Sequence, residues 1–175
     1  MRFITRYQIL LPASLSVFAG ALLAQAPVER GKYLVETAGC HDCHTPYKNG
    51  QPDMTRMLTG HPQDIKITAP SKLPAPWSVA STDTNTAWMG PWGISFSTNL
   101  TPDRNTGIGS WTERMFIDTI RKGKHGGNGR DILPPMPWPG YAKLTDDDLK
   151  SIFAYLKTVP AVANRVPQPV PPPKQ

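Results

Sequence analysis

The sequence predicts a mainly helical domain that is interrupted by a long irregular insertion. Residues 110–122 open with a capping-box pattern, and residues 145–156 repeat apolar positions every three to four residues, so both segments predict amphipathic helices. Residues 45–92 have no helical period and contain seven prolines. These three observations predict helices around an irregular middle section, rather than a sheet-based fold.

The N-terminus has the pattern of a signal peptide spanning residues 1–26. A basic start precedes a largely apolar stretch at residues 9–23, and Ala24-Gln25-Ala26 fits a small-residue cleavage site. Pro27 is unfavourable directly after a cleavage site, so a retained membrane anchor is the alternative. The pattern predicts an exported, periplasmic protein, which is membrane-associated if this segment is retained.

The predicted domain covers residues 27–160 and is followed by a proline-rich, flexible tail at residues 161–175. Its first helix is expected over residues 29–39. Gly31 costs that helix stability, which indicates close approach by another element. Within the domain, the insertion at residues 45–92 is expected to be folded, because large apolar side chains are normally buried. The large apolar side chains of the insertion are those of Trp77, Trp88 and Trp92. The composition of the insertion is also compatible with short strands at residues 65–68 and 77–80.

The helices after the insertion have clear end signals. Ser110-Trp111-Thr112-Glu113 is a capping box, and Gly123 is expected to end the helix that follows. Thr145 is expected to cap the last helix, in which three aspartates follow directly and favour the positive end of the helix dipole. Its apolar stripe consists of Leu149, Ile152, Phe153 and Leu156. Pro160 is expected to prevent further helix.

One motif indicates a chemistry. Cys40-His41-Asp42-Cys43-His44 reads C-x-x-C-H, which is the attachment signature of a c-type haem. Cys40 and Cys43 lie about one helical turn apart, so both thiols can reach the vinyl groups on one edge of a porphyrin. His44 can then supply an imidazole nitrogen as the proximal iron ligand. The sequence therefore predicts one covalently bound haem c with its iron, and the insertion is expected to cover one edge of that haem.

Two other kinds of site also use a C-x-x-C pair, namely redox-active dithiols and zinc sites. A redox-active dithiol would sit at a strand-to-helix junction in a βαβ setting, which this sequence lacks. A zinc site normally needs four ligands in two paired clusters, whereas this chain has one cysteine pair. Outside the motif it offers His61 and His125, with no paired histidine spacing.

A second iron ligand is predicted among the six methionines. Met136 lies between prolines at positions 134, 135 and 137, and these prolines restrict its backbone to an extended segment. A thioether in such a segment suits a distal ligand that must be presented at a fixed distance. Met54, Met57 and Met89 remain alternatives, while Met115 lies within a predicted helix and is expected to pack in the core.

With the haem motif, a proline-flanked methionine and an amphipathic final helix in this order, the chain resembles the class I cytochromes c. More narrowly, it is similar to the haem domains of cytochrome c subunits of bacterial membrane-bound alcohol and aldehyde dehydrogenases. The resemblance covers residues 28–48 and 92–160. It rests on four stretches: residues 97–103, 106–109, 111–113 and 141–146.

The resemblance implies an all-α class I cytochrome c fold, in which the first and last helices cross beside the haem. Gly31 would be the contact point against the stripe on the last helix. Cys40 and Cys43 correspond to the thioether cysteines, His44 to the proximal ligand and Met136 to the distal ligand.

The leading functional prediction is a monohaem electron carrier, and not an enzyme by itself, that exchanges single electrons with redox proteins such as a dehydrogenase, an oxidase or another cytochrome. One alternative is a haem protein with an open or displaceable sixth site that binds gas or peroxide. Another is a fixed cytochrome subunit of a dehydrogenase or oxidase complex.

The formal net charge is +6, but no long basic run indicates a nucleic-acid partner. Basic side chains do cluster within residues 121–130, namely Arg121, Lys122, Lys124, His125 and Arg130. Two readings of this cluster stay open. It is either a docking patch for the redox partner or an ordinary solvated loop.

Overall fold

The structure, a computed structural model, describes residues 15–67 and 72–173, with side chains from residue 26 onward. Within these residues the chain forms five α-helices and two small antiparallel sheets. The helices are α1 (Leu15–Thr37), α2 (Cys40–His44), α3 (Glu113–Lys122), α4 (Trp138–Tyr141) and α5 (Asp146–Leu156). Short 3₁₀ helices lie at Met54–Arg56 and His125–Gly127.

The strands all lie between α2 and α3. Strands β1 (Tyr47–Lys48) and β2 (Gln51–Pro52) form one hairpin. The second sheet has the order β3 (Ala80–Ser81), β4 (Ala87–Gly90) and β5 (Gly93–Phe96). The prediction of an all-α fold is therefore wrong. The prediction failed because the strands are short: two to four residues give no alternating pattern that distinguishes a strand from a loop.

The insertion is also arranged differently from the prediction in detail. Ile65 to Ile67, in the first predicted strand, are not in a strand. The second predicted strand, at residues 77–80, overlaps β3 only at Ala80. Trp88 is buried and Trp92 is half-buried, as expected for a folded segment. Trp77, however, is 70% exposed, so the expectation that this large apolar side chain is buried is wrong.

Helix positions agree closely with the sequence patterns after the insertion. Thr145 caps α5, its hydroxyl accepting from the backbone N–H of Asp148. The predicted stripe on α5 is buried. Helix α3 is capped by Thr112 rather than by Ser110, and it ends at Gly123, which adopts a left-handed conformation with φ of 63°. The capping-box pattern therefore located the helix but placed its start two residues too early.

Helix α1 is longer than predicted, and it packs against α5 at Gly31. A Cβ atom on Gly31 would lie 1.9 Å from the Ser151 carbonyl oxygen and 2.9 Å from the Tyr155 Cβ. The close approach is therefore present, and its nearest atoms belong to Ser151 and Tyr155 rather than to the apolar stripe. Leu34 and Val35 of α1 are buried in the same core.

Replacing Gly31 by alanine is expected to lower the free energy of unfolding by about 3 kcal/mol, because a methyl group would overlap backbone that cannot move independently of α5. Gly140→Ala is the matched control, since a Cβ atom there meets nothing within 4 Å. Urea denaturation of both variants measures the difference. Equal stability of the two variants would contradict the close packing of α1 on α5.

The segment after α5 is extended and hydrogen-bonded to the domain. Asn164 is 1% exposed, and its side-chain Nδ2 donates to the carbonyl oxygens of Thr59 at 2.7 Å and His61 at 2.9 Å. Further along, Val170 and Ile94 exchange two backbone hydrogen bonds, which extends the β5 edge. The sequence-based expectation of a flexible tail does not anticipate these contacts, because the partners of Asn164 are distant in the chain.

The described part of the chain contains no helix with the length and hydropathy of a membrane-spanning segment. Most of the predicted signal peptide lies outside the residues whose side chains are described. Its cleavage and the location of the protein remain expectations from the sequence.

Candidate haem site

A cavity with largely apolar walls lies between α2, strand β5, the core helices and the segment at residues 130–137. Cys40, Cys43, His44 and Met136, the residues predicted from the sequence, all line it. Its apolar walls are contributed by side chains from several elements, among them Trp88, Phe96, Leu100, Phe116, Ile152 and Leu156. The fold thus brings two thiols, an imidazole and a thioether to one apolar space.

The His44 imidazole is held in one orientation. Its Nδ1 lies 2.8 Å from the Thr98 carbonyl oxygen. A carbonyl can only accept, so Nδ1 carries the proton and donates, and in the neutral ring Nε2 keeps its lone pair. Burial lowers the pKa of His44, although the hydrogen bond to Thr98 opposes that shift. A buried, neutral imidazole with one nitrogen fixed by a carbonyl is suited to ligate a metal.

The two thiols lie on the short helix α2, which starts after Gly39 in a left-handed conformation with φ of 72°. Burial, with smaller contributions from Cys43 and Asp42, raises the pKa of Cys40 to about 11. Burial also raises the pKa of Cys43. Cysteines of redox dithiols generally have lowered pKa values, so these environments disfavour the dithiol reading of the motif.

Met136 is the one methionine that lines the cavity within the described part of the chain. Met54 is 55% exposed, Met57 packs against the main core, and Met89 packs in the small cluster beside the second sheet. The segment that presents Met136 is held by the Ser95 hydroxyl, which donates to the Pro134 carbonyl oxygen. Strand β5 therefore supports this segment.

Polar groups of the insertion, and Ser97 just after it, also hold the backbone of the haem motif. The Ser97 hydroxyl donates to the Cys43 carbonyl oxygen, and the Asn85 side chain donates to that of Asp42 at 2.7 Å. The Gly60 N–H donates to the His44 carbonyl oxygen at 2.8 Å. These bonds satisfy carbonyl groups at the C-terminal end of α2 and fix the direction in which the motif faces the cavity.

The two histidines outside the motif differ in position. His61 has both ring nitrogens in hydrogen bonds, with Nδ1 3.0 Å from the Thr86 hydroxyl and Nε2 2.9 Å from the Ile65 carbonyl oxygen, and it does not line the cavity. His125 does line it and contacts Trp111 edge-on, with the ring centroids 5.3 Å apart. Burial, and secondarily Arg130, lowers the pKa of His125.

The basic cluster at residues 121–130 is largely neutralised by neighbouring carboxylates. Lys122 Nζ lies 3.1 Å from Asp118, Lys124 Nζ lies 2.6 Å from Asp131, and Arg121 pairs with Asp146. Such exposed pairs add little stability, but they reduce the net positive charge that the cluster presents to a partner. The ion pairs favour the reading of a solvated loop for these three side chains.

Several proteins of similar sequence are cytochrome subunits of dehydrogenases. The fructose dehydrogenase cytochrome subunit of Gluconobacter japonicus is 32% identical over 131 residues, which are 75% of this chain and 21% of the relative. The gluconate 2-dehydrogenase cytochrome c subunit of Pantoea cypripedii is 33% identical over 74% of this chain and 22% of its own length. The cytochrome c subunit of the quinone-dependent alcohol dehydrogenase of Gluconobacter oxydans is 30% identical over 81% of this chain and 24% of its own length.

The chain is therefore homologous to cytochrome c subunits of dehydrogenases, and the resemblance inferred from its motifs is confirmed. It spans about a fifth to a quarter of the length of these relatives. Their names are those of cytochrome subunits, which supports an electron-transfer role and a haem c cofactor with iron. No protein-family model matches the chain.

Proposed function

We propose that this chain is a monohaem c-type cytochrome that carries single electrons between redox proteins in the periplasm. In this proposal, Cys40 and Cys43 hold the haem by thioether bonds, His44 is its proximal ligand and Met136 its distal ligand. The observation that carries the proposal is that all four side chains line the same apolar cavity.

The residues present fit such a group. When bound, the haem supplies a reversible one-electron change at its iron. His44 offers the Nε2 lone pair, because Nδ1 is used by Thr98. The apolar walls exclude water and favour the iron state of lower charge, which raises the reduction potential. Arg130 also lines the cavity, and its guanidinium, whose pKa burial lowers, is suited to the haem carboxylates.

A dehydrogenase is the partner that the relatives' names support in general terms, since each is a cytochrome subunit of a dehydrogenase. The proposal assigns catalysis to that partner and electron transfer to this chain. A fixed subunit and a mobile carrier differ only in how tightly they dock. Co-purification from the native source separates the two.

The covalent haem is tested by mass spectrometry of the protein produced with a cytochrome c maturation system. The expected mass is that of the processed chain plus one haem. The double variant Cys40→Ala/Cys43→Ala is expected to lack that mass, whereas Met54→Ala, which changes an exposed methionine, retains it. A wild-type protein that loses all of its haem to acidified acetone would refute thioether attachment.

A further inference from the structure

A polar cleft adjoins the candidate haem cavity. The two spaces share four lining residues: Thr98, Trp111, His125 and Arg130. The outer walls of the cleft come from the loop that contains Arg104 and from the segment after α5 that contains Arg165. A charge bound in this cleft would therefore lie beside the haem site.

Arg104 and Arg165 differ from the basic cluster at residues 121–130. Within the described residues, neither guanidinium has a carboxylate oxygen within 4.0 Å, whereas Lys122 and Lys124 each have one. Asp103, next to Arg104, is the nearby carboxylate: hydrogen bonds from Thr106 lower its pKa most, and Arg165 is one of the other groups that lower it. Three arginines, Arg104, Arg130 and Arg165, line the cleft, and no carboxylate is among its described lining residues. The cleft therefore keeps a net positive charge toward an outside anion.

The backbone that carries these arginines is fixed. Arg104 lies in a turn closed by hydrogen bonds from the Gly107 and Gly109 N–H groups to the Asp103 carbonyl oxygen, at 3.1 and 3.0 Å. Arg165 follows the buried Asn164, and its own N–H donates to the Gln63 side chain at 2.9 Å. Little backbone freedom remains to be lost when a partner binds.

We propose that Arg104 and Arg165 form the docking site for acidic side chains of the redox partner protein, directly beside the haem. The inference rests on the proposed electron-carrier function and names the charge and position of its docking surface. Opposite charges on two proteins accelerate their encounter and orient it, and brief oriented encounters are what electron exchange requires. Aspartate and glutamate side chains are the anions that a protein surface supplies.

The test compares two double variants with the same change of charge. Arg104→Glu/Arg165→Glu removes the proposed site, and Lys122→Glu/Lys124→Glu is the matched control. Stopped-flow oxidation of the reduced proteins by hexacyanoferrate(III), with and without a decaglutamate peptide as competitor, reports on the charge near the haem. Measurements at about 0.01 M salt, where the Debye length is ~30 Å, and at about 1 M, where it is ~3 Å, give the salt dependence.

At low salt the arginine variant is expected to react about tenfold more slowly than wild type, and the difference should disappear at high salt. Decaglutamate should slow wild type and the lysine variant but not the arginine variant. The proposal is overturned if the lysine variant shows the larger loss, or if both variants react like wild type. It is also overturned if the arginine variant shifts only the reduction potential, which would assign these side chains to the haem carboxylates.

Failure of the electron-carrier proposal is distinguishable from failure of the docking proposal. If the electron-carrier proposal is wrong, the wild-type protein lacks the absorption spectrum of a covalently bound haem, which is recorded before any kinetic measurement.

Discussion

His44→Ala is expected to prevent formation of a stable low-spin haem protein. The Thr98 carbonyl fixes the imidazole so that Nε2 is free to bind a metal, and alanine would remove this proposed ligand from the cavity wall. Loss of a mere hydrogen-bond partner of a metal ligand commonly costs ~10- to 100-fold in affinity, so loss of the ligand itself should reduce the yield of low-spin protein at least about tenfold.

His41→Ala is the matched control for this variant. His41 lies three residues earlier on the same helix, and its Nδ1 is 2.9 Å from the Thr45 hydroxyl instead of facing the cavity. Absorption spectra and haem-to-protein ratios of the two purified variants give the comparison. A His44→Ala protein with the wild-type spectrum would show that another side chain is the proximal ligand.

Met136→Ala should remove the far-red sulfur–iron charge-transfer band of the oxidised protein and lower the reduction potential. A thioether stabilises ferrous iron relative to ferric iron, so its loss favours the oxidised state. Axial ligands change haem potentials over a range of ~0.8 V, and we expect a fall of ~0.1–0.3 V. Spectroelectrochemistry measures the band and the potential on one sample.

Met89→Ala and Met57→Ala are the controls, because both side chains are half-buried but neither lines the cavity. Both should keep the far-red band. If Met136→Ala keeps the band while a control loses it, the ligand assignment passes to that methionine. A Met136→Ala spectrum with two imidazole ligands would point to His125, which does line the cavity.

The candidate site could be predicted from the sequence because local chemistry determines it. A haem motif places two thiols and an imidazole on one helical turn, and prolines fix the segment around Met136. Helix α5 was also predictable, since its cap and its apolar stripe lie within twelve consecutive residues. In each case the signal and the structure involve the same short segment.

The support around the site could not be predicted in this way. Thr98 orients His44 through its backbone carbonyl, so its side chain carries no information about that role. Ser95 and Ser97 bind carbonyl groups of Pro134 and Cys43, which are about 40 and 50 positions away along the chain. Hydrogen bonds between distant segments leave no periodic pattern.

The all-α prediction failed for a related reason. The resemblance implied helices alone, whereas strands β1 to β4 lie in the insertion at residues 45–92 and β5 follows it directly. Strand β5 is not peripheral to the site: Ser95 and Phe96 line the cavity, and Ser95 holds the segment that carries Met136. The sheet that the insertion forms with β5 is therefore part of the architecture that positions the candidate ligands.

The most direct test of the central claim is the visible spectrum of the wild-type protein in both redox states, recorded with and without carbon monoxide. A haem ligated by His44 and Met136 predicts a low-spin oxidised spectrum with the far-red band, and a reduced spectrum that carbon monoxide leaves unchanged. A high-spin spectrum that shifts when carbon monoxide is added to the reduced protein would contradict the claim and identify a ligand-binding haem protein instead.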